Sequence, residues 1–266
     1  MNSQAPRTVV IDCFPENVAR YREAGYVIVA IDVIRATTTA VTAAFLGRKC
    51  YPVDTVDNAL ALGSELSNPL MVGEQGGDMP AGFEIPNSPA LVAEHKDVSQ
   101  PMVLLSTSGT RIIAAAKGST ACYVTCLRNF TAQTEHLIRH HSKVAVIGAG
   151  TRGEFREEDQ MCCAWIAIGL LDAGFIPETE ETLAIAERWR NAPVDAFLVS
   201  NSVAYLRRSG QLRDLDFVMA HIDDIPYVFE LQGEEVVMLS GETDILKGSQ
   251  TYLDASTPEP QLNANV

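Results

Sequence analysis

Six almost wholly apolar residues, Tyr26 to Ile31, run directly into Asp32-Val33-Ile34-Arg35-Ala36-Thr37-Thr38-Thr39 and then into an Ala-rich stretch ending near Leu46. An apolar run this short, without polar alternation, suits a strand buried on both faces, as in a parallel sheet covered by helices. The stretch from Ala36 has helical character, so the two read as a strand–loop–helix unit. Ligands of open α/β sheets bind outside the carboxyl ends of the strands, which is where Asp32 and Arg35 fall. Backbone N–H groups and the Thr37, Thr38 and Thr39 hydroxyls at the helix start could cradle a phosphate, with Arg35 completing the charge. The same residues also fit a Thr-capped helix with one surface arginine.

The unit recurs along the chain. Strands are expected at Thr8 to Ile11, Lys49 to Pro52, Leu70 to Val72, Met102 to Leu105, Ala121 to Thr125 and Lys143 to Ile147. Helices are expected at Asp57 to Leu66, Gly109 to Ala116, Thr131 to His141 and Glu157 to Leu171, the last opened by acids that suit a helix N-terminus. Alternation of this kind predicts a three-layer α/β/α fold around a mostly parallel central sheet. Beyond Ile176 a helix is expected around Glu180 to Arg190, a strand near Ala196 to Val199, a short helix capped by Ser202 and a strand near Phe217 to Ala220. One α/β domain over residues 1–250 accounts for this pattern, with room for a smaller C-terminal part from about residue 176. The polar, proline-containing stretch 251–266 is expected to be a disordered tail.

Composition removes several classes of function. A formal net charge of -14 over 266 residues, with no basic run, opposes binding to nucleic acid or to an anionic membrane. Nothing approaches the roughly 18 consecutive apolar residues of a membrane span, and Met1 to Thr8 lacks the apolar core of a secretory signal, so a cytoplasmic protein is expected. Whether it forms a homo-oligomer is left open. The six cysteines, Cys13, Cys50, Cys122, Cys126, Cys162 and Cys163, have no zinc-like spacing and sit in apolar runs, as reduced core cysteines do.

Three further loops carry chemistry like that of the first. Ser106-Thr107-Ser108-Gly109-Thr110-Arg111 follows the strand ending at Leu105, and Gly148-Ala149-Gly150-Thr151-Arg152-Gly153 follows the strand ending at Ile147 and leads to Glu157-Glu158-Asp159. The long irregular segment Gly73 to Pro89 adds Gly73-Glu74-Gln75-Gly76-Gly77 and Asn87-Ser88-Pro89, and loops of that length are usually functional. Each alone is a common turn or cap. Two competing motifs fit by letter. Gly148 to Gly153 satisfies GxGxxG, but the acid needed roughly 20 residues on for a ribose is Asp172, at the end of an expected helix. Cys122 and Arg128 have the spacing of a cysteine phosphatase loop, yet Cys122 heads a strand-like run with no glycine to wrap a phosphate. His140 and His141 fall at a helix end, where basic residues suit the dipole.

Taken in order, the Asp32 to Thr39 run, Gly73 to Gly77, Gly82-Phe83, Asn87-Ser88-Pro89, Ser106 to Arg111, and Gly148 to Gly150 with Glu158-Asp159 resemble the 2-phosphosulfolactate phosphatase family. The resemblance is specific from about Val9 to Leu171 and looser to about Pro226. It implies a three-layer α/β/α fold and a magnesium-dependent phosphatase that cleaves (2R)-2-phospho-3-sulfolactate to 3-sulfolactate and phosphate on the route to coenzyme M. Two positions depart from the family pattern: Pro86 stands where glycine is expected, and Ser108 where asparagine is expected.

Phosphoryl transfer asks chiefly for positioning and neutralisation of charge, and Mg2+ needs only one or two carboxylates besides water and substrate oxygens. Asp32, Glu74, Glu158 and Asp159 are the candidate metal ligands, with Asp32, Arg35 and Asp159 expected to be catalytic. Arg35, Arg111 and Arg152 are the candidate anion clamps for a small phosphorylated substrate. Thr37, Thr38, Thr39, Asn87, Ser88, Thr107, Ser108, Gly109 and Thr110 would supply neutral contacts.

Overall fold

The computed structural model describes residues 6–151 and 153–239. Arg152 and the expected tail 251–266 lie outside the described residues. The first half of the chain runs β1 (Thr8–Asp12), α1 (Val18–Glu23), β2 (Val27–Ile31), α2 (Ala36–Phe45), β3 (Cys50–Val53), α3 (Val56–Glu65), β4 (Leu70–Gly73), α4 (Pro89–Glu94) and β5 (Met102–Leu105). It continues with α5 (Gly109–Ala115), β6 (Cys122–Thr125), α6 (Phe130–His140), β7 (Lys143–Gly148), α7 (Glu157–Asp172), β8 (Ile176–Pro177) and α8 (Glu180–Trp189). Two more helices, α9 (Asn201–Arg208) and α10 (Leu212–Ala220), precede a hairpin of β9 (Phe229–Gln232) and β10 (Glu235–Met238). No described helix is long and apolar enough to cross a membrane.

The described strands form one sheet in the order β4-β5-β3-β10-β9-β6-β2-β7-β1-β8. Parallel pairing joins β6, β2, β7, β1 and β8 on one side and β3, β5 and β4 on the other, giving the expected mostly parallel sheet between helical layers. The hairpin links the two groups by antiparallel pairing, β9 to β6 and β10 to β3.

All five residues of β2 are buried, and their alternation divides the core. Val27, Val29 and Ile31 face one cluster with Leu137 of α6 and Met161 and Ile166 of α7. Ile28 and Ala30 face the other, with Val41 of α2 and Ile112 of α5. Full burial of each Val or Ile contributes about 1.5–3 kcal/mol, which is why this strand tolerates no polar residue until Asp32. A third, smaller cluster of Ala59, Met71, Phe83, Val103 and Leu105 lies where α3 covers the β4 and β5 end.

Two expected strands are helical. Ala196–Val199 is a 3-10 helix in which only Phe197 is buried, and Phe217 to Ala220 belongs to α10, which turns Asp214, Leu215 and Val218 inward at helical spacing. Short apolar runs do not distinguish the two periods, so these misreadings share one cause. The cap of α9 is Ser200, whose hydroxyl accepts from Val203 N at 3.2 Å, two residues before the expected Ser202. The hairpin of β9 and β10 was not anticipated. Its strands are short and carry Glu230 and Glu235, with Gly233 at φ +64° supplying the turn. All six cysteines are free and buried, as expected.

Candidate functional site

The loops that follow β2, β4, β5 and β7 meet at a cavity of about 500 Å3 closed on one side by α9. Its lining includes Asp32, Arg35, Glu74 and Asn87, together with Thr107, Ser108 and Asp159. Chemistry scattered over the sequence is thus gathered in one place.

Asp32 is the first residue after β2, and the turn behind it is tied down by the threonines. Asp32 N donates to Thr37 Oγ1 at 2.9 Å while that hydroxyl donates to the Asp32 carbonyl at 2.9 Å. The Thr38 hydroxyl donates to Val33 O at 2.8 Å, and Thr39 shares its proton between Arg35 O and Asn87 Oδ1 at 3.1 and 2.9 Å. All three threonines are buried and none lines the cavity, so they hold the loop rather than offering free donors to a ligand. Thr110 is a second instance: it exchanges hydrogen bonds with Ser106 in the same pattern at 3.0 Å and does not line the cavity.

Asp159 reaches back from the first turn of α7, accepting from Val33 N at 2.7 Å and Ala149 N at 3.2 Å. It therefore clamps the loop after β2 to the loop after β7. Glu74 does the equivalent between β4 and β5, accepting from Thr107 N at 2.6 Å, Thr107 Oγ1 at 2.8 Å and Gly77 N at 2.8 Å. Arg35 is buried; its guanidinium meets Asp214 Oδ2 at 2.6 Å and also Gln211 Oε1, while the Ser88 hydroxyl donates to the other oxygen of Asp214. Ser88 also caps α4 through Leu91 N at 3.2 Å and does not line the cavity. Asn87 does line it, with its carbonyl oxygen taken by Thr39 and its amide left as a donor.

Two clamps change. Arg111 is exposed on α5 outside the cavity, because its position in the first turn follows the inward-facing Gly109 and Thr110 and points away from the sheet. Arg156 and Arg208 line the cavity, as do Asn201, Ser202 and Tyr205 of α9. Sequence reasoning missed these, although Ser200-Asn201-Ser202 repeats the hydroxyl-rich helix start of the other loops. Nothing in the sequence marked Asp214.

The carboxylates are crowded and buried. Burial, then the charges of Glu74 and Glu158, pushes the Asp32 carboxyl up to about 7, against the opposing hydrogen bond from Ala36 N and the charge of Arg35. Asp159 is pushed well up by burial and then by Asp32 and Glu158. Glu158 is fully buried, and neither of its oxygens makes a hydrogen bond of ordinary geometry; burial raises it, while the nearby Ser202 and Ser200 hydroxyls ease its ionisation. Uncompensated negative charge of this kind is costly to bury, and a cation relieves it.

Gly109 makes this crowding sterically possible. A Cβ at that position would lie 2.3 Å from Asp32 Oδ2 and 2.7 Å from Ala36 Cβ, so the start of α5 is pressed against the carboxylate. Gly109→Ala is expected to displace Asp32 and to cost about 1–3 kcal/mol of stability by overpacking, read as a lower denaturation midpoint together with loss of turnover.

The competing motifs do not form sites. Ala149 N donates to Asp159, Gly150 N to Cys13 O at 2.8 Å and Thr151 N to Glu154 O at 2.9 Å, so these three N–H groups of the GxGxxG loop are already used. Asp172 is paired with Arg190 on the surface. The Cys122 thiol is buried and pushed up to about 12, and Arg128 forms a two-pronged pair with Asp224 at 2.9 and 2.7 Å. A nucleophilic thiolate needs the opposite surroundings.

Comparison with known proteins places these loops in a family. The model of the 2-phosphosulpholactate phosphatase family matches residues 13–234. The chain belongs to that family. A 2-phosphosulfolactate phosphatase of Methanothermobacter thermautotrophicus is 31% identical over 189 residues, covering 71% of this chain and 80% of its own length. A probable 2-phosphosulfolactate phosphatase of Symbiobacterium thermophilum is 29% identical over 228 residues, covering 84% of this chain and 86% of its own. One from Pseudothermotoga lettingae is 36% identical over 148 residues, covering 55% of this chain and 63% of its own length. The family match includes every loop that reaches the cavity, together with α9 and Asp214 of α10.

Proposed function

We propose that this chain is a Mg2+-dependent phosphatase that hydrolyses (2R)-2-phospho-3-sulfolactate to 3-sulfolactate and phosphate, the reaction used in coenzyme M biosynthesis. The observation that carries the reading is the buried pair Asp32 and Asp159 at the cavity, where the charge of Asp32 raises the affinity of Asp159 for a proton.

The donor set fits magnesium. Among the described residues no group of three or more His, Cys, Asp or Glu side chains is arranged to hold a metal ion, which argues against a closed structural site. Two carboxylates with water and substrate oxygens are the usual complement for Mg2+, and Asp32 and Asp159 offer it, with Glu158 adding charge behind them. Bound there, the ion would neutralise phosphoryl oxygens and lower the pKa of a water.

The protein's own residues do the rest. Arg35 presents its guanidinium to the phosphoryl group while Asp214 and Gln211 hold it from behind. The Asn87 amide and the Ser108 hydroxyl complete the polar wall. Water attacks phosphorus in line, the bond to the substrate's C2 oxygen breaks, and that oxygen leaves with a proton. Glu74 holds together the loops after β4 and β5, accepting from Thr107 and Gly77.

A neighbouring substrate, another small phosphorylated hydroxy acid, is favoured by one observation: Ser108, which replaces the family's asparagine, lines the cavity and shortens that wall. A purely anion-binding role gains nothing from buried, unmetallated carboxylates, which repel phosphate. The deciding assay is phosphate release from 2-phosphosulfolactate and a panel of phosphorylated hydroxy acids, with Mg2+ and with chelator. Mg2+-dependent release from phosphosulfolactate is the expected result. Release from another panel member alone reassigns the substrate, and release that persists in chelator removes the metal from the mechanism.

A further inference from the structure

Among the described residues three arginines line the cavity, and their partners set them apart. Arg35 is committed to Asp214 and buried with it. Arg156 has only Glu154, at a loose 3.9 Å and with that carboxylate two-thirds exposed to water. Arg208 makes no ion pair or hydrogen bond among the described residues. A guanidinium that lines a cavity without a partner is poised to take an anion.

The alternative is that Arg208 serves the C-terminal dipole of α9. Arg207, in the same last turn, already meets that need; both arginines are exposed to solvent, and of the two only Arg208 lines the cavity. The helix that carries Arg208 is also latched over the site. The Tyr205 hydroxyl donates to Gly77 O at 3.1 Å, joining α9 to the loop that Glu74 organises. Gly77 is at φ +98°, and a Cβ there would come within 2.9 Å of the Tyr205 oxygen, so the latch is closely fitted.

Charge divides the cavity in the same way. Asp32 and Asp159 form a negative end suited to a cation and the phosphoryl group it neutralises, whereas Arg156 and Arg208 remain uncompensated apart from Glu154. We propose that Arg208, assisted by Arg156, binds a second anionic group of the substrate, so that α9 selects small phosphate esters bearing a carboxylate or sulfonate over those with a neutral tail. This rests on the phosphatase reading for its turnover test, and on binding alone for a second, independent one.

The turnover test compares 2-phospholactate with its uncharged carboxamide, in Mg2+, on the wild type and on Arg208→Gln, Arg156→Gln and Arg207→Gln. The wild type is expected to favour the acid by about 10–100-fold in kcat/KM, the range of a charge-assisted hydrogen bond, and Arg208→Gln to bring that ratio to within about threefold, mainly through KM. Arg156→Gln should lower the ratio by less, and Arg207→Gln should leave it at the wild-type value. An acid-to-amide ratio in Arg208→Gln equal to that of the wild type overturns the proposal. Hydrolysis of neither ester, nor of 2-phosphosulfolactate, by the folded wild type is a failure of the phosphatase reading; in that case, or where 2-phosphosulfolactate alone is hydrolysed, the subsite is judged by calorimetric titration with 3-sulfolactate. Binding weakened about 10-fold or more in Arg208→Gln supports the subsite, and equal affinity in both proteins overturns it.

Discussion

Asp32→Asn is expected to lower turnover by at least about 10^2-fold and, at the same time, to make the metal-free protein more stable at neutral pH. The loss of activity follows because the carboxylate sits where charge on the transferring phosphoryl group must be balanced through a cation, and an amide cannot hold one; removal of a single group of this kind costs about 10^2–10^3-fold or more. The gain in stability follows from the burial that pushes Asp32 up to about 7 from its ordinary 3.8. Between those two pH values the folded protein keeps a proton that the unfolded chain has released. Folding stability contributed by this group therefore falls as pH rises from about 4 to about 7 and levels off above it, a change on the order of 2–4 kcal/mol. Asp159 is raised in the same direction and strengthens the trend. Thermal unfolding in chelator should show the wild type losing midpoint temperature across that window more steeply than Asp32→Asn. Adding Mg2+ should restore the wild type, by about 2.7 kcal/mol at a concentration 100 times its Kd, and leave the variant nearly unmoved. A variant no more stable than the wild type at pH 8 in chelator would mean that the site is not electrostatically strained.

The second large effect is expected at a residue that touches no substrate. Asp214→Ala leaves the Arg35 guanidinium buried without its counter-ion and deprives Ser88 of its acceptor, and breaking such a pair from one side costs about 3–5 kcal/mol. Turnover should fall as well, since Arg35 is then free to move from its place on the cavity wall. Asp214→Asn separates the two effects. It retains the shape and one acceptor oxygen, so it should recover much of the stability while the weaker hold on Arg35 still raises KM. Urea titration and steady-state kinetics on both variants check this. If Asp214→Ala melts within about 0.5 kcal/mol of the wild type, the range of an ordinary surface substitution, the pair has no structural weight.

Much of the core architecture was legible because burial and period leave a mark on composition. The apolar run ending at Ile31, the acid-opened helix α7 and the strand Met102–Leu105 each say locally what they are, since a strand covered on both faces can hold almost nothing but Val, Ile, Leu and Ala. The loops at strand ends were legible for the same reason: Gly109, Asp32 and Asp159 stand out only because polar and small residues there interrupt an apolar rhythm. The region after Ile176 was less readable. Its apolar runs are short, so α10 passed for a strand, and β9 owes its position to pairing with β6 at Tyr123 and Glu230, a contact between residues far apart in the chain.

What the sequence by itself determined was the class of fold, the set of loops and the residue types that could meet a phosphate, because these depend on local period and on the end of a strand. Tertiary structure decided which of those residues face the cavity. Thr37, Thr38, Thr39 and Thr110 carry the right hydroxyls but spend them on their own turns, and Arg111 leaves the site because a helix rotates each successive residue by about 100°. Arg156, Arg208 and Asp214 enter it from elements whose placement depends on packing against the sheet, a property of the whole chain that no window of sequence contains.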